Sequence, residues 1–221
     1  MGPQYAQKRL TRRQFVQLVA ASTLGTALAS CANDQAGSPA SAPARTAPPP
    51  GDGAYLSVAR SSDPSPSALT RAALSAIGGI ERFVKNGDDV ILKPNICVDY
   101  RTYEYGATTN PEVVATLVEL CLGAGAGRVR VMDSPFGGGP ESAYARSGIA
   151  DAVAAAGGEM EIMNPAKFRE TAIPEGKDIT RWPVYHEILA ADVLIDIPIA
   201  KHHSLARLSL GGKNLLGVVQ N

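Results

Sequence analysis

The sequence contains no pair of closely spaced cysteines. Its three cysteines stand at positions 31, 97 and 121, and no Cys-x-x-Cys motif is present. Because such pairs hold iron–sulfur clusters and zinc ribbons, the chain itself carries no signature of either group. Cys97 follows a predicted strand, and Cys121 lies in a helical apolar pattern. An oxidising compartment would permit a disulfide between them, but we expect two separate, mostly buried thiols.

The sequence also lacks a basic excess and is poor in aromatic residues. Lysine and arginine together number 21, as do aspartate and glutamate. Without the four basic residues that precede Cys31, the remainder has 17 basic and 21 acidic residues, a net charge of about −4. A nucleic-acid-binding protein would show a basic face, so we expect no nucleic-acid partner. Aromatic residues make up only 5% of the chain, which suits close packing of helices on a sheet.

No apolar run reaches the roughly 20 residues that a membrane-spanning helix needs. Residues 15–29 form a shorter apolar run that several polar side chains interrupt. The pair Arg12 and Arg13 precedes it, an order typical of a twin-arginine export signal. The run ends at Leu28-Ala29-Ser30-Cys31, which resembles a bacterial lipobox, whose cysteine is lipidated after cleavage. The alternatives are a transmembrane anchor and a basic N-terminus that arose by chance.

These N-terminal motifs predict where the protein works. We expect export by the twin-arginine route and membrane attachment through a lipid on Cys31, in the periplasm or another extracytoplasmic compartment. Residues 1–31 would form the signal, and the Pro-, Ala- and Ser-rich residues 32–53 a tether that cannot bury a core. The twin-arginine route carries folded proteins, often around a cofactor, so residues 54–221 are expected to fold before export.

Strands and helices alternate in the predicted domain. Asn110, a natural N-cap, and Pro111 mark the start of one helix, and residues 164–184 are predicted to form a loop or a hairpin. The hydrophobic patterns predict strands at 55–59, 89–92, 128–132, 159–163 and 193–197, and helices at 67–84 (with Gly78-Gly79 as a candidate break), 113–122, 141–146, 149–156 and 185–189. Repeated strand–helix–strand units predict a three-layer α/β fold, with a largely parallel sheet and helices on both faces.

Polar residues follow the predicted strands, and in an open α/β sheet ligands bind outside the carboxyl ends of the strands. Three lysines at this edge would attract an anion, and two asparagines could orient it through amide hydrogen bonds. The candidate ligand-binding residues are Lys93, Asn95, Thr109, Ser134, Lys201, Lys213 and Asn214. The alternative is that a strand-end lysine pairs with a carboxylate such as Asp133 and has a structural role.

Three residues at this edge could carry out chemistry. Asp133 is a candidate metal ligand or general base, and His203, preferred to His202, could bind a metal or transfer a proton. Lys201 is the third candidate catalytic residue. The glycines 137–139 could present backbone N–H groups to an oxyanion.

Two further segments border the predicted site. The tyrosine-rich residues 100–105 predict either one wall of a pocket or a surface loop packed by its own side chains. Residues 211–214 (Gly-Gly-Lys-Asn) do not form a P-loop, because the spacing G-x-x-x-x-G-K-[ST] is not met.

The ordered set of these motifs resembles the DUF362 family, over residues 55–221. The motifs are Lys93-Pro94-Asn95, Thr108-Thr109-Asn110-Pro111, Val131-Met132-Asp133-Ser134, Ala191-Asp192-Val193-Leu194-Ile195, Pro198, Lys201-His202-His203 and Lys213-Asn214-Leu215-Leu216-Gly217. The family has no settled biochemical role. Some relatives carry ferredoxin-like four-iron clusters, so the resemblance implies a redox or cofactor context and a redox partner, although their cysteine motifs are missing here.

The resemblance also bears on whether the predicted domain is complete at its C-terminal end. Members of the family usually continue beyond the Lys-Asn-x-x-Gly motif, whereas this sequence ends at Asn221 without a closing element. We therefore expect the domain to be C-terminally incomplete, with a small complete domain as the alternative.

Two functions of different classes fit the sequence. The first is an enzyme of unknown reaction that binds an anionic or metal-linked ligand at the strand ends, with a metal ion as its candidate cofactor. The second is a non-catalytic surface lipoprotein that binds a small anion or a partner. In both, the lipid anchor provides the contact with the membrane.

Overall fold

The computed structural model describes residues 55–62 and 65–220. The predicted signal with Arg12, Arg13 and Cys31, and the predicted tether at 32–53, lie outside the described residues. No helix within the described ranges is long and apolar enough to cross a membrane.

The described chain alternates between short helices and strands. The helices are α1 (Pro66–Ser75), α2 (Pro111–Gly123), α3 (Pro140–Arg146), α4 (Ile149–Ala155), α5 (His186–Ala190) and α6 (Gly211–Asn214), with 3₁₀ turns at Ile80–Arg82, Tyr103–Tyr105, Pro165–Lys167 and Leu215–Val218. The strands are β1 (Asp89–Pro94), β2 (Arg128–Val131), β3 (Glu159–Met160), β4 (Phe168–Ala172), β5 (Arg181–Tyr185), β6 (Val193–Ile197), β7 (Lys201–His203) and β8 (Arg207–Ser209).

A four-stranded sheet in the order β3-β2-β1-β6 forms the centre of the fold. All three neighbouring pairs are parallel, and Leu92 of β1 lies between Val131 of β2 and Ile195 of β6. The parallel pairing brings the carboxyl ends of these strands to one edge of the sheet. The α/β fold with a parallel sheet is thus confirmed.

One face of the sheet packs against helices α2 and α4. The side chains of Val90 and Leu92 from β1, and of Val129 and Val131 from β2, are buried in this core. Fully burying a side chain of this size contributes roughly 1.5–3 kcal/mol, so this face is a major source of stability. Helix α2 begins as predicted, because the Asn110 side chain accepts a hydrogen bond from the N–H of Glu112 at 2.8 Å.

The other face packs against one end of a hairpin, the short helix α5 and the 3₁₀ turn at Leu215–Val218. Strands β4 and β5 pair antiparallel, which selects the hairpin among the two alternatives for residues 164–184. A second core lies beneath it, formed by Ile91, Met132, Met163, Tyr185, Ile188 and Val218. The short helix α5 contributes Ile188 to this core, and the 3₁₀ turn at Leu215–Val218 contributes Val218.

A buried arginine lies between the sheet and this second layer. The guanidinium of Arg130 contacts three carboxylates, at 2.5 Å from Asp89, 3.0 Å from Glu161 and 2.8 Å from Glu187. Lys167 bridges the last two, at 3.3 Å and 3.2 Å. Hydrogen-bonded partners on all sides compensate the cost of burying the arginine charge.

Three predicted elements differ from the structure. The predicted strand at 55–59 is wrong: the segment has no regular secondary structure, and its apolar side chains Leu56 and Val58 are exposed and not part of a core. The predicted helix at 67–84 ends at Ser75, and Gly79 adopts a φ of +79° before the next turn. The predicted strand at 159–163 is only two residues long.

Candidate functional site

A cleft of about 650 Å³ opens at the carboxyl ends of β1, β2 and β6. The antiparallel hairpin β7–β8 and the segment from Leu210 to Gly217 complete its walls. Eight residues that the sequence predicted for the site line this cleft: Lys93, Asn95, Asp133, Ser134, Lys201, His203, Lys213 and Asn214. Their roles in binding or catalysis stay predictions, but the sheet topology does bring them together.

At the base of the cleft, Lys93 and Asp133 form a buried ion pair. The Nζ atom of Lys93 donates to Oδ1 of Asp133 at 2.6 Å, to the carbonyl oxygen of Pro94 at 2.9 Å and to Oδ1 of Asn214 at 3.3 Å. Lys93 is 0% exposed and Asp133 is 4% exposed. The charge of Lys93 is therefore balanced inside the protein. This matches the alternative given by the sequence, in which a strand-end lysine pairs with Asp133 and has a structural role.

Backbone groups also hold the carboxylate of Asp133. Oδ2 accepts a hydrogen bond from the N–H of Ile96 at 2.7 Å, and Oδ1 accepts one from the N–H of Ser134 at 2.8 Å. Burial raises the pKa of Asp133, while the ammonium of Lys93 and these two N–H groups act in the opposite direction. With both oxygens engaged, Asp133 fixes the segments that follow β1 and β2.

Asn214 connects three parts of the site. Its Nδ2 donates to the carbonyl oxygen of Lys93 at 3.1 Å and to Oδ1 of Asp196 at 2.6 Å. Its Oδ1 accepts from Nδ2 of Asn95 at 2.9 Å. Burial raises the pKa of Asp196, and the hydrogen bond from Asn214 opposes this. Asn214 thereby holds helix α6 against the ends of β1 and β6.

Lys201 presents a charge without a carboxylate partner. Its Nζ donates to three neutral acceptors, the side-chain oxygen of Asn95 at 2.9 Å, the carbonyl oxygen of Ala107 at 2.5 Å and the sulfur of Cys97 at 3.1 Å. No carboxylate among the described residues lies within 4.0 Å of it. The positive charge of Lys201 is therefore uncompensated at the cleft wall.

Thr109 does not line the cleft but contacts Asn95, which does. Its buried hydroxyl donates to the carbonyl oxygen of Ile197 at 2.7 Å and accepts from the N–H of Asn95 at 2.8 Å. It is not among the residues that line the cleft. In this structure Thr109 fixes the position of Asn95, whereas the sequence predicted direct ligand binding.

His203 lies on the wall formed by β7. Its Nδ1 accepts from the backbone N–H groups of Leu205 at 3.2 Å and Ala206 at 3.1 Å. Desolvation lowers the pKa of His203, and the positive charges of Lys213 and Lys201 lower it further. Because Nδ1 is an acceptor, the neutral ring carries its proton on Nε2. His202 also lines the cleft but is exposed, whereas His203 is half-buried.

The predicted metal site is not assembled by a cluster of ligands. Within residues 55–62 and 65–220, no three or more His, Cys, Asp and Glu side chains are grouped so that they could hold a metal ion. The oxygens of Asp133 and the Nδ1 of His203 already have partners within the protein. Metal binding by these two residues stays a prediction.

The two loops beside the site differ in their contribution. Tyr100 and Arg101 line the cleft, in agreement with a pocket wall, as does Phe136. The glycines 137–139 do not line it, and the N–H groups of Phe136 and Gly137 donate to the carbonyl oxygen of Cys97. These two N–H groups are therefore not available to an oxyanion.

Two features of the site were not predicted from the sequence, the packing of Gly217 and the contact of Cys97 with Lys201. Gly217 packs directly on the ion pair, since a Cβ atom there would overlap Oδ1 of Asp133 and lie 3.0 Å from Nζ of Lys93. Its place in the Lys-Asn-x-x-Gly motif was the available signal. The contact of Cys97 with Lys201 had no such signal, because 104 residues separate them in the chain. Both Cys97 and Cys121 are free, as predicted.

Comparison with known proteins places this arrangement in a family. The chain is 33% identical over 153 residues to a thylakoid-associated protein of Synechocystis sp.. The match covers 69% of this chain and 46% of that protein, so the chain spans less than half the length of this relative. No solved structure matches the chain. The family model of the domain of unknown function DUF362 matches residues 90–221. This region contains every residue that lines the cleft, and the chain belongs to the DUF362 family.

Proposed function

We propose that the domain binds a small anionic molecule in the cleft at the carboxyl ends of β1, β2 and β6. One observation carries the proposal. Asp133 is the single carboxylate among the residues that line the cleft, and Lys93 neutralises it. Lys201 and Lys213 line the same cleft, and among the described residues neither has a carboxylate within 4.0 Å. The cleft therefore carries a net positive charge.

The polar groups that line the cleft favour an anionic ligand over a cationic one. Neutral His203 has a proton on Nε2 and can donate it to a ligand oxygen, and its lowered pKa favours this form at neutral pH. The ammonium of Lys213 has no hydrogen-bond or ion-pair partner among the described residues and can contact a ligand. Asn95 is held by Thr109, Asn214 and Lys201, so one wall of the site is rigid before a ligand arrives.

Calorimetric titration of the full chain with inorganic phosphate, acetate and citrate tests this proposal. Lys213→Gln should weaken anion binding by about tenfold or more, because a hydrogen bond to a charged group contributes roughly 1.5–3 kcal/mol. Lys201→Gln should also weaken it, because the variant removes a positive charge from the cleft wall although the three N–H donors of Lys201 already have partners. The matched control is Lys177→Gln, which removes an exposed lysine outside the cleft and should leave binding unchanged. Absence of binding for all three anions would overturn the proposal.

We also propose that the protein is exported by the twin-arginine route and anchored through a lipid on Cys31. The supporting features are the pair Arg12 and Arg13 and the lipobox-like residues Leu28-Ala29-Ser30-Cys31. Replacing both arginines by lysine should retain the protein in the cytoplasm. Cys31→Ser should leave export intact but release the protein from the membrane fraction. Unchanged fractionation of both variants would refute this assignment.

A further inference from the structure

The size of the cleft indicates that its ligand is larger than a simple inorganic ion. Its volume is about 650 Å³, in the range of clefts that take organic ligands of drug-like size, about 300–1,000 Å³. A water molecule occupies about 30 Å³ of liquid, so phosphate or acetate would fill only a small part of the space. A molecule that fits the whole cleft must contact surfaces beyond the two lysines.

Those further surfaces are apolar and face water. Phe136 is 78% exposed and Tyr100 is 64% exposed, although both line the cleft. Leu210 and Leu216, on either side of Lys213 in the sequence, also line it and are 47% and 48% exposed. Exposed apolar side chains around a cleft favour ligand contact, and burying them contributes roughly 25 cal/mol for each Å² removed from water.

The two aromatic residues belong to one wall. The N–H of Phe136 donates to the carbonyl oxygen of Cys97, and Val98 forms a parallel bridge with Gly137. An added Cβ atom at Gly137 would lie 3.0 Å from Val98 and 3.6 Å from the ring of Tyr100. The segment 97–100 and the loop at 136–137 are therefore joined by backbone contacts. The cation of Lys201 meets the same wall at Cys97, 3.1 Å from the sulfur.

We infer that the ligand is an organic anion with an aromatic body. Its carboxylate or phosphate group would contact Lys213 and lie near the positive charge of Lys201, and its ring would cover Phe136 and Tyr100. Aromatic rings prefer offset or edge-to-face contact with one another, which adds about 0.5–1.5 kcal/mol for each pair beyond the area buried. This inference rests on the proposed anion binding and specifies the chemical class of the ligand.

Four probes separate the contributions of charge and ring. 2-Naphthoate carries both, acetate carries the charge alone, 2-naphthalenemethanol carries the ring alone, and octanoate replaces the ring by an aliphatic chain. In titrations of the full chain we expect 2-naphthoate to bind at least tenfold more tightly than each of the other three. Phe136→Ser should remove most of this advantage without changing acetate binding. Leu205→Ser is the matched control, because Leu205 is 88% exposed and does not line the cleft.

The outcomes distinguish the two proposals. If acetate and 2-naphthoate bind equally, anion binding stands and the aromatic inference fails. If octanoate binds as tightly as 2-naphthoate, the preference for a ring is refuted, again with anion binding intact. If the neutral alcohol binds as well as 2-naphthoate, or if no charged probe binds, the proposed anion binding fails as well.

Discussion

The ammonium of Lys93 lies 2.6 Å from the carboxylate of Asp133, and the protein buries both side chains. Lys93 ends the apolar run of β1, and Asp133 follows β2 by two residues. Their contact ties together the ends of two neighbouring parallel strands, directly beneath the cleft. The Lys93–Asp133 pair therefore has a structural role at the bottom of the cleft, whereas Lys201 and Lys213 are more exposed.

Removing one member of this pair should be costly. Lys93→Met leaves the carboxylate of Asp133 buried without its cation, and breaking a buried pair in this way costs about 3–5 kcal/mol. Lys93→Met/Asp133→Asn removes both charges while keeping an oxygen acceptor, so it should be clearly more stable than the single variant. Denaturant unfolding measures both. A single variant as stable as the double variant would contradict the buried-pair interpretation.

The second buried charge, Arg130, gives a comparable prediction. Arg130→Met leaves three carboxylates without their common cation and should lower the free energy of unfolding by about 3–5 kcal/mol. The control is Arg71→Ala, which breaks the pair of Arg71 with Glu119, in which both side chains are about half exposed. Exposed pairs contribute at most about 1 kcal/mol. Equal losses from the two variants would show that burial does not strengthen the Arg130 cluster.

The same cluster predicts how stability depends on pH. Burial raises the pKa of Glu161, but hydrogen bonds from Arg130 and Lys167 outweigh it, and the pKa is lowered overall. Hydrogen bonds from Arg130 and Lys167 also lower the pKa of Glu187. A carboxyl group with a lowered folded-state pKa contributes stability that is complete above its unfolded pKa, about 4.3, and is lost as pH falls through the folded pKa.

We therefore expect Glu161 and Glu187 to lower the free energy of unfolding as the pH falls below about 4.3. Glu187→Gln should make the free energy of unfolding depend less steeply on pH in this acid range, because the variant lacks one of the two titrating carboxylates. Urea unfolding at a series of pH values measures the slope. The hypothesis is wrong if the wild-type protein and Glu187→Gln lose stability in parallel.

Gly217 and Gly212 allow a matched test of the packing around the Lys93–Asp133 ion pair. An added methyl group at Gly217 would overlap Asp133, whereas one at Gly212 meets nothing within 4 Å. Gly217→Ala should therefore destabilise the protein by about 1–3 kcal/mol through overpacking. Gly212→Ala should be neutral or slightly stabilising. Thermal unfolding of the two variants checks the difference, and equal melting temperatures would contradict it.

The strand ends could be predicted from the sequence because each strand is a short apolar run that stops at a polar residue. Lys93 and Asp133 both stand at such a boundary, and parallel pairing brings the boundaries to one edge whatever the details of packing. Residues 55–59 are also a short, largely apolar segment but form no strand. An apolar pattern describes one segment, whereas a strand also depends on pairing with another segment.

The Arg130 cluster could not be predicted for a related reason. Its carboxylates come from Asp89, Glu161 and Glu187, three separate elements, and only the strand register and the hairpin bring them together. The sequence marks Arg130 only as a charged residue within a short apolar strand. Likewise, Thr109 was predicted to bind a ligand, but its hydroxyl already forms hydrogen bonds with the backbone of Ile197 and Asn95. Which polar groups remain free for a ligand depends on three-dimensional pairing.

The two free cysteines provide a chemical test of the cleft. Cys121 is fully buried, and burial raises its pKa to about 12, so it should resist alkylation by iodoacetamide in the folded protein. Cys97 is half-buried and lines the cleft, so it should react. Mass spectrometry of the Cys31→Ser protein should show a single modification, at Cys97, and two after denaturation. A bound anion should slow the reaction of Cys97, and protection of Cys97 by 2-naphthalenemethanol but not by any anion would contradict a cationic cleft.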